Sequence, residues 1–417
     1  MYRLLRLRCK IFLIGVTVSI SIYKTVDLSR LFIKANANVK VIMSESAKKF
    51  VTPLTFETIS QQTILDEGNE SWDKDSINNH IEIGKWADLF IIAPASANTI
   101  NKLSNGITDN LLTQTALAYI KTKVIAPAAN TNMIQNPITV QSLEKLNALG
   151  YKIVSSQIKE LACKDVGDGA LAQPSEIFCL SVRELLKDDY WENREVIVSG
   201  GGTVEKIDDV RYISNFSSGK MAASLSLALF FKGAKVTLVA SRGYEDLPLG
   251  VKIIPVNSSL EMLAAIEQSL EMATNKTEVV QKPFLFMAAA VSDYLPSFEN
   301  EGKLKKDKIG KTWDLALVQN KDILSSLDKR DIYTIGFKAE MDKFSANQSA
   351  QNMVKTKNLD AVCLNIIDEN NPFGSNNNII ELIINDVQAI KELKGDKFDI
   401  SLKLLNKLKN EIIKFEQ

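Results

Sequence analysis

Histidine is nearly absent: the 417 residues hold one, His80. An imidazole titrates near neutrality and can trade protons with a substrate, which makes the stretch around His80 the first candidate site. Cysteine is scarce too. The four present, Cys9, Cys163, Cys179 and Cys363, are widely spaced with no Cys-x-x-Cys pair. That spacing argues against a zinc site, excludes a secreted disulfide scaffold and fits reduced thiols in a cytoplasmic protein. No charge is in excess: 50 basic residues face 50 acidic ones. Nucleic acid and membrane surfaces therefore have no electrostatic case, and small molecules or further copies of the chain remain as partners. A membrane-spanning run is missing as well. Arg3, Arg6, Arg8 and Lys10 precede an apolar run from Ile11 to Ile22, as in a signal peptide. Thr17, Ser19 and Ser21 interrupt that run, and no small-residue cleavage site follows it. It reads better as a first β-strand leading into a phosphate-binding turn.

What is present is enough apolar content, 45%, for two or three domains with cores of their own. The residues from Ile11 to Val16 form an apolar strand, and Thr17-Val-Ser-Ile-Ser21 turns into a helix with Leu28, Leu31, Phe32 and Ala35 on one face. Asn36 closes that helix in the left-handed conformation, and Val39 to Met43 is the next strand. The turn sets amides and hydroxyls at a helix start, as an anionic phosphate requires. From His80 the chain predicts a short helix (residues 81–86), a buried parallel strand (89–92) and a loop, Ala93-Pro94-Ala-Ser96-Ala-Asn98, at the strand's carboxyl end. Ligands of open α/β sheets sit at such ends. A further strand, residues 123–126, leads to Asn130 and Met133. An amide at a strand end can grip a carboxylate and an amide together, and asparagine is equally a turn former.

These motifs resemble the flavin-dependent cysteine decarboxylases, in particular the decarboxylase half of bifunctional coenzyme A biosynthesis enzymes. The matching runs are His80-Ile-x-x-x-x-Trp-Ala-Asp, Ala93-Pro-Ala-x-Ala-Asn98, Asn105-Gly-Ile-x-Asp-Asn-Leu-Leu112, Ser44 to Thr55, and Leu161-Ala-Cys163 with Gly167 and Gly169. The resemblance implies a flavodoxin-like domain over residues 1–188. It implies FMN held by Gly15, Thr17, Ser19, Ser44, Ala93, Pro94, Ser96 and Asn98, with His80, Asn130 and Cys163 catalytic. Cys163 stands where the family's proton donor stands. Val18-Ser-Ile-Ser21 replaces the family's Gly-Ser-Ile-Ala, and Ala129, Lys164, Ala170 and Leu171 are further departures.

A charged, non-periodic stretch from Leu185 to Asn193 marks a boundary, and a new strand, residues 196–199, runs into Gly200-Gly-Gly-Thr203. Three glycines after a strand suggest a nicotinamide dinucleotide, but the third glycine of Gly-x-Gly-x-x-Gly is missing and no helix starts at once. Instead Asp208-Asp-Val-Arg211-Tyr-Ile-Ser-Asn215-Phe-Ser217-Ser-Gly-Lys220 follows. With Ala290-Val-Ser-Asp293-Tyr294, Gly336-Phe337-Lys-Ala-Glu340 and Lys357-Asn-Leu-Asp360, it resembles the CTP-dependent phosphopantothenate–cysteine ligases. That resemblance implies a Rossmann-like domain over 192–417, so the whole chain is expected to be two three-layer α/β domains with mostly parallel sheets. It implies Asn215 and Lys303 as catalytic. It also implies nucleotide contacts from Met287, Ala288, Ala289, Asp293, Lys303, Asn320, Lys321, Asp322, Ile323, Phe337 and Lys357, with Mg²⁺ accompanying CTP on ligands the sequence does not identify. The substrates would be 4′-phosphopantothenate, cysteine and CTP. The assembly would be trimers built into a dodecamer. A ligase attached to a regulatory flavin-binding half is the alternative reading.

Overall fold

The computed structural model describes residues 7–73, 76, 78–160, 166–244, 246–275, 281–305, 307, 310–369, 371–372, 374–384 and 391–416. The chain folds as two compact units, residues 1–186 and 187–417.

The first unit is built on five parallel strands, β1 (Ile11–Val16), β2 (Asn38–Met43), β3 (Leu89–Ala95), β4 (Lys123–Pro127) and β5 (Lys152–Ile153), in the order β2-β1-β3-β4-β5. Successive side chains of a strand face opposite ways, so the run Ile-Phe-Leu-Ile-Gly-Val of β1 needs apolar cover on both faces. Phe12 stacks on Phe32 of helix Ile22–Lys34 (4.1 Å), which meets Phe178 of helix Pro174–Leu186 (4.8 Å). Leu13 enters the opposite core with Phe90, Ile92, Ile100, Leu112 and Ile125. Asn36 has φ of 61° just past the first helix, the left-handed exit expected of it. The first part of the apolar run, Ile11–Val16, is thus an internal strand of the sheet, and among the described residues no helix is long and apolar enough to cross a membrane.

One expectation needs correction. Ala93 to Ala95 belong to β3 rather than to a loop, and helix Ala97–Ser104 starts directly after Ser96. Pro94 has no N–H to give the ladder, and the β3–β4 register shifts between Ile92 and Ala95, so the strand bends there without ending. An antiparallel hairpin, β6 (Gln157–Glu160) and β7 (Val166–Ala170), follows β5.

The second unit carries β8 (Glu195–Gly200), a small hairpin of β9 (Glu205–Lys206) and β10 (Tyr212–Ile213), then β11 (Lys235–Ala240), β12 (Lys252–Pro255) and β13 (Phe284–Met287). After the paired β14 (Tyr294–Pro296) and β15 (Leu317–Gln319) come β16 (Tyr333–Glu340), β17 (Ala361–Ile366), β18 (Asn377–Ile384) and β19 (Lys391–Asp396). The large sheet runs β12-β11-β8-β13-β16-β17-β18-β19, parallel as far as β17 and antiparallel beyond. Its first six strands follow a 3-2-1-4-5-6 dinucleotide-fold order, with the switch point between β8 and β13. Strand β13 stops at Met287, three residues short of Ala290. Ala290 instead pairs across the switch point, its N–H donating to Gly201 O (2.8 Å) and its carbonyl accepting from Thr203 N (3.2 Å).

The charged stretch around residue 190 is not a loose connection. Trp191 is fully buried, 4.8 Å from Phe284 and 5.1 Å from Tyr190, and the Arg194 guanidinium lies 4.0 Å over the Tyr190 ring. Trp191→Ala should cost about 3–5 kcal/mol in urea unfolding followed through the second unit. Trp72→Ala, at an indole 71% exposed, should stay within about 0.5 kcal/mol of the parent.

Candidate active sites

In the first unit the loops after β1 and β3 meet at the switch point, held together by one hydroxyl. Thr17 Oγ1 donates to Pro94 O (2.7 Å) and accepts from Ser96 N (2.9 Å), while Thr17 N also donates to Pro94 O (3.3 Å). Thr25 Oγ1 donates to Ala93 O (3.0 Å). The carbonyls of Ala93 and Pro94 and the Thr17 hydroxyl are therefore used within the protein. Ser19 and Ser21 share a hydrogen bond between their hydroxyls (2.7 Å) and lie on the turn itself. Ser44 donates its amide to Val16 O (3.1 Å), and its buried hydroxyl has no partner among the described residues. Ser96 caps helix Ala97–Ser104 by accepting from Thr99 N (3.3 Å), and Asn98 is exposed on its first turn. Gly15 is buried, and a Cβ there would press on Phe90 at 3.0 Å. Free hydroxyl capacity, turn amides and a helix start fit a phosphorylated flavin. Val18 fits too, since it is not among the residues with positive φ.

Asn130 caps a short turn of helix, its Oδ1 accepting from Asn132 N (2.9 Å). The β6–β7 hairpin lies directly on this loop: Ala129 N donates to Gly169 O (3.1 Å). Gly169 has φ of 128°, and a Cβ there would sit 2.2 Å from Ala129 O, so this glycine permits close packing. Cys163 lies outside the described residues. His80 is fixed from both sides. Asn79 Oδ1 accepts from Ile81 N (3.0 Å) and Glu82 N (2.8 Å), and His80 Nδ1 lies 2.8 Å from Glu70 Oε1. Upstream of this segment, Leu65 pairs with Ile42 at the end of β2.

In the second unit the switch point repeats the arrangement. Ser199 Oγ accepts from Ala289 N (3.1 Å), and Thr203 Oγ1 accepts from Ser292 N (3.1 Å). Asn215 Nδ2 donates to Val291 O (2.9 Å), and Asn320 Nδ2 to Ser292 O (2.7 Å). A cavity of about 750 Å³ opens beside these loops. Asn215, Met287, Ala288, Ala289, Asp293, Asn320, Lys321, Asp322, Ile323, Phe337 and Lys357 line it. Lys338 and Lys397 add two cations to the lining, whose acids are Asp293 and Asp322, so the walls favour an anion. Lys357 pairs with Asp322 (2.7 Å). Burial raises the Asp322 pKa, but its bonds to Lys357 and Ser325 outweigh that and hold the carboxyl below its ordinary range. Among the described residues no group of three His, Cys, Asp or Glu could hold a metal ion. The helix after β8 does not begin until Lys220, unlike a nicotinamide-binding turn.

The family model for flavoproteins matches residues 6–186, and the model for the DNA/pantothenate metabolism flavoprotein C-terminal domain matches 191–412. The coenzyme A biosynthesis bifunctional protein CoaBC of Vibrio parahaemolyticus is 34% identical over 402 residues, covering 95% of this chain and 97% of its own. CoaBC of Borreliella burgdorferi is 35% identical, covering 94% and 97%. The chain belongs to the coenzyme A biosynthesis bifunctional protein family. CoaBC of Bacillus subtilis is 34% identical over 95% of this chain and 96% of its own. A solved structure of the FMN-binding protein AtHal3 is 35% identical, covering 42% of this chain and 95% of its own with a TM-score of 0.37.

Within this bifunctional family member, Lys303 stands apart from the other sequence-identified residues: it is exposed and is not in the cavity lining. Its neighbours are clamped instead. Gly302 N donates to Asp209 Oδ2 (3.0 Å), Leu304 N to Asp208 Oδ2 (3.2 Å), and Arg211 Nη2 to Leu304 O (3.0 Å). Sequence reasoning passed over Asp208 and Lys397. Burial, then the charge of Lys220, pushes the Lys397 ammonium down, and its Nζ donates to Ser375 O. Nothing in the sequence places residue 397 beside residue 220. For Asp208, burial works upward, but the amides of Val210, Leu304 and Arg211 and the Arg211 charge outweigh it, and its pKa is lowered.

Thr17→Val should cost about 1–3 kcal/mol in denaturant unfolding by stranding Ser96 N and removing one of the two bonds to Pro94 O, and Thr17→Ser should recover most of it. The depressed Asp208 carboxylate contributes stability that is present above the unfolded value near ~4 and is lost as pH falls through the lower folded value. The gap in unfolding free energy between the parent and Asp208→Asn should therefore be widest at neutral pH and shrink on acidification. A gap independent of pH would refute the assignment.

Proposed function

We propose that this bifunctional coenzyme A biosynthesis enzyme joins cysteine to 4′-phosphopantothenate at the expense of CTP in residues 192–417. It then decarboxylates the product to 4′-phosphopantetheine in residues 1–188. The observation that carries this reading is similarity over 95% of the chain to two-activity relatives. The anion-favouring cavity at the second unit's switch point supports it.

In the ligase half the substrate carboxylate attacks the α-phosphorus of CTP, releasing pyrophosphate and leaving an acyl-cytidylate. Carboxylate and triphosphate repel each other, and Lys321, Lys338 and Lys357 offset that repulsion. Cysteine's amine then attacks the acyl carbon and CMP departs. One Asn215 amide hydrogen is held by Val291 O, which aims the other at the oxygen that gains charge during this displacement. Lys303 approaches the triphosphate from the clamped 302–304 loop.

In the decarboxylase half Ser19, Ser21, Ser44 and the turn amides would hold the FMN phosphate, while Thr17 and Ser96 fix the loops around it. Bound flavin supplies reversible two-electron oxidation of the substrate's thiol-bearing carbon, which makes loss of carbon dioxide feasible. His80 handles the substrate's proton or carboxylate, Asn130 grips its carboxylate and amide, and Cys163 returns a proton at the end. The family resemblance carries the trimer-based dodecamer.

Mass spectrometry of reactions containing 4′-phosphopantothenate, CTP and cysteine should show phosphopantetheine, CMP and pyrophosphate. Accumulation of phosphopantothenoylcysteine without carbon dioxide would favour the alternative, a ligase with a regulatory flavin domain. Asn215→Asp replaces a donor with a negative charge and should raise the second barrier by about 2.7–4 kcal/mol. Quenched reactions should then show roughly one pyrophosphate per site with acyl-cytidylate bound, whereas Lys303→Gln should fail before pyrophosphate forms. Absence of the burst in the Asn215 variant would reassign that residue to nucleotide binding.

A further inference from the structure

His80 has a carboxylate partner that no sequence motif indicates. Glu70 Oε1 lies 2.8 Å from His80 Nδ1, and each side chain is only 17% exposed. The indole of Trp72 meets the imidazole edge-on, with centroids 5.2 Å apart. The pair rests on two anchored strips of backbone. On the histidine side, Asn79 caps the amides of Ile81 and Glu82. On the glutamate side, Asp66 Oδ1 accepts from Gly68 N (2.9 Å) and Asn69 N (3.1 Å), and Asn69 returns a bond to Ile64 O (2.7 Å). Ser71 N donates to Asn78 O (2.8 Å) and ties the two strips together. An exposed glutamate–histidine contact would mean little. Here several bonds serve to present one carboxylate to one ring nitrogen.

An ionised carboxylate only accepts, so a proton must sit on Nδ1. The neutral ring then has a bare Nε2 able to take a proton, and the protonated ring carries Nε2–H able to bind an anion. The opposite neutral tautomer, with Nδ1 bare, would face the carboxylate lone pairs and is disfavoured.

We propose that Glu70 is the positioning residue of the decarboxylase site, fixing His80 in the Nδ1–H tautomer so that Nε2 is the nitrogen that meets the substrate, with Trp72 covering the ring's outer edge. This rests on the reading of His80 as a decarboxylase residue.

The test uses the full-length, flavin-loaded chain. Because His80 is the only histidine, [15N]histidine labelling gives one imidazole to observe. The parent should show Nδ1 protonated and Nε2 bare in the neutral ring. Glu70→Gln, whose amide offers a donor and an acceptor, should give a mixture of tautomers. Its kcat for carbon dioxide release from phosphopantothenoylcysteine should fall on the order of 10- to 100-fold, with KM changed less than about threefold. Glu70→Asp keeps the charge and should recover part of kcat and the parent tautomer. Bound-flavin absorbance reports that the first unit is folded, and CTP-dependent pyrophosphate release in the same samples should not change. Parent-like kcat and tautomer in Glu70→Gln, while His80→Gln is inactive, would overturn the proposal and leave the role of His80 standing. A fall in kcat with an unaltered tautomer would also overturn it, marking Glu70 as structural. Full activity of His80→Gln would remove the earlier reading and this one together.

Discussion

A parallel sheet that grows in two directions from its first strand leaves a gap at the carboxyl ends of two neighbouring strands. There the connecting loops part and their backbone groups lose ladder partners. Both units close that gap with buried hydroxyls. Thr17 joins the loop after β1 to the one after β3, and Ser199 and Thr203 join the loop after β8 to the one after β13. A hydroxyl suits the task because it donates and accepts at once in little space. Everything proposed for either site hangs on these stitches. They hold two loops at a fixed separation, with the remaining amides and hydroxyls facing the space between.

The same constraint sorts the candidate residues. Thr17, Ala93 and Pro94 are occupied in holding the first site together, whereas Ser19 and Ser44 have capacity left. In the second unit Asn320 and Asn215 do both, since each spends one amide hydrogen on the 291–292 backbone and keeps another. Such double use explains why a sequence motif at these positions reports fold and chemistry together.

Much of the scaffold was legible from local pattern. The apolar run of β1, the amphipathic helix after it and the left-handed Asn36 depend on neighbours within a few residues, and periodicity captures those. The missed features depend on distant partners. The bend at Pro94 is held by Thr17, 77 positions away, so a strand looked like a loop. Ala290, beyond the end of β13, pairs with Gly201 and Thr203, almost ninety positions away. Glu70 sits in a non-periodic stretch before His80, and Lys397 reaches the cavity only because the sheet folds its helix back toward residue 220. Resemblance names Lys303, but only the structure shows that the amides on either side of it, of Gly302 and Leu304, are held by Asp209 and Asp208.

Val18 has a consequence that belongs to the unfolded chain. Where a glycine roams over both halves of backbone space before folding, a β-branched residue is confined to one, and less freedom has to be surrendered when the turn forms. Val18 adopts no positive φ, so this restriction brings no strain with it. Exchanging glycine for a residue with a Cβ at such a position typically stabilises by about 0.4–1 kcal/mol through the denatured ensemble. The turn that meets a ligand's phosphate is thus closer to its final shape before the ligand arrives, and binding spends less on ordering it.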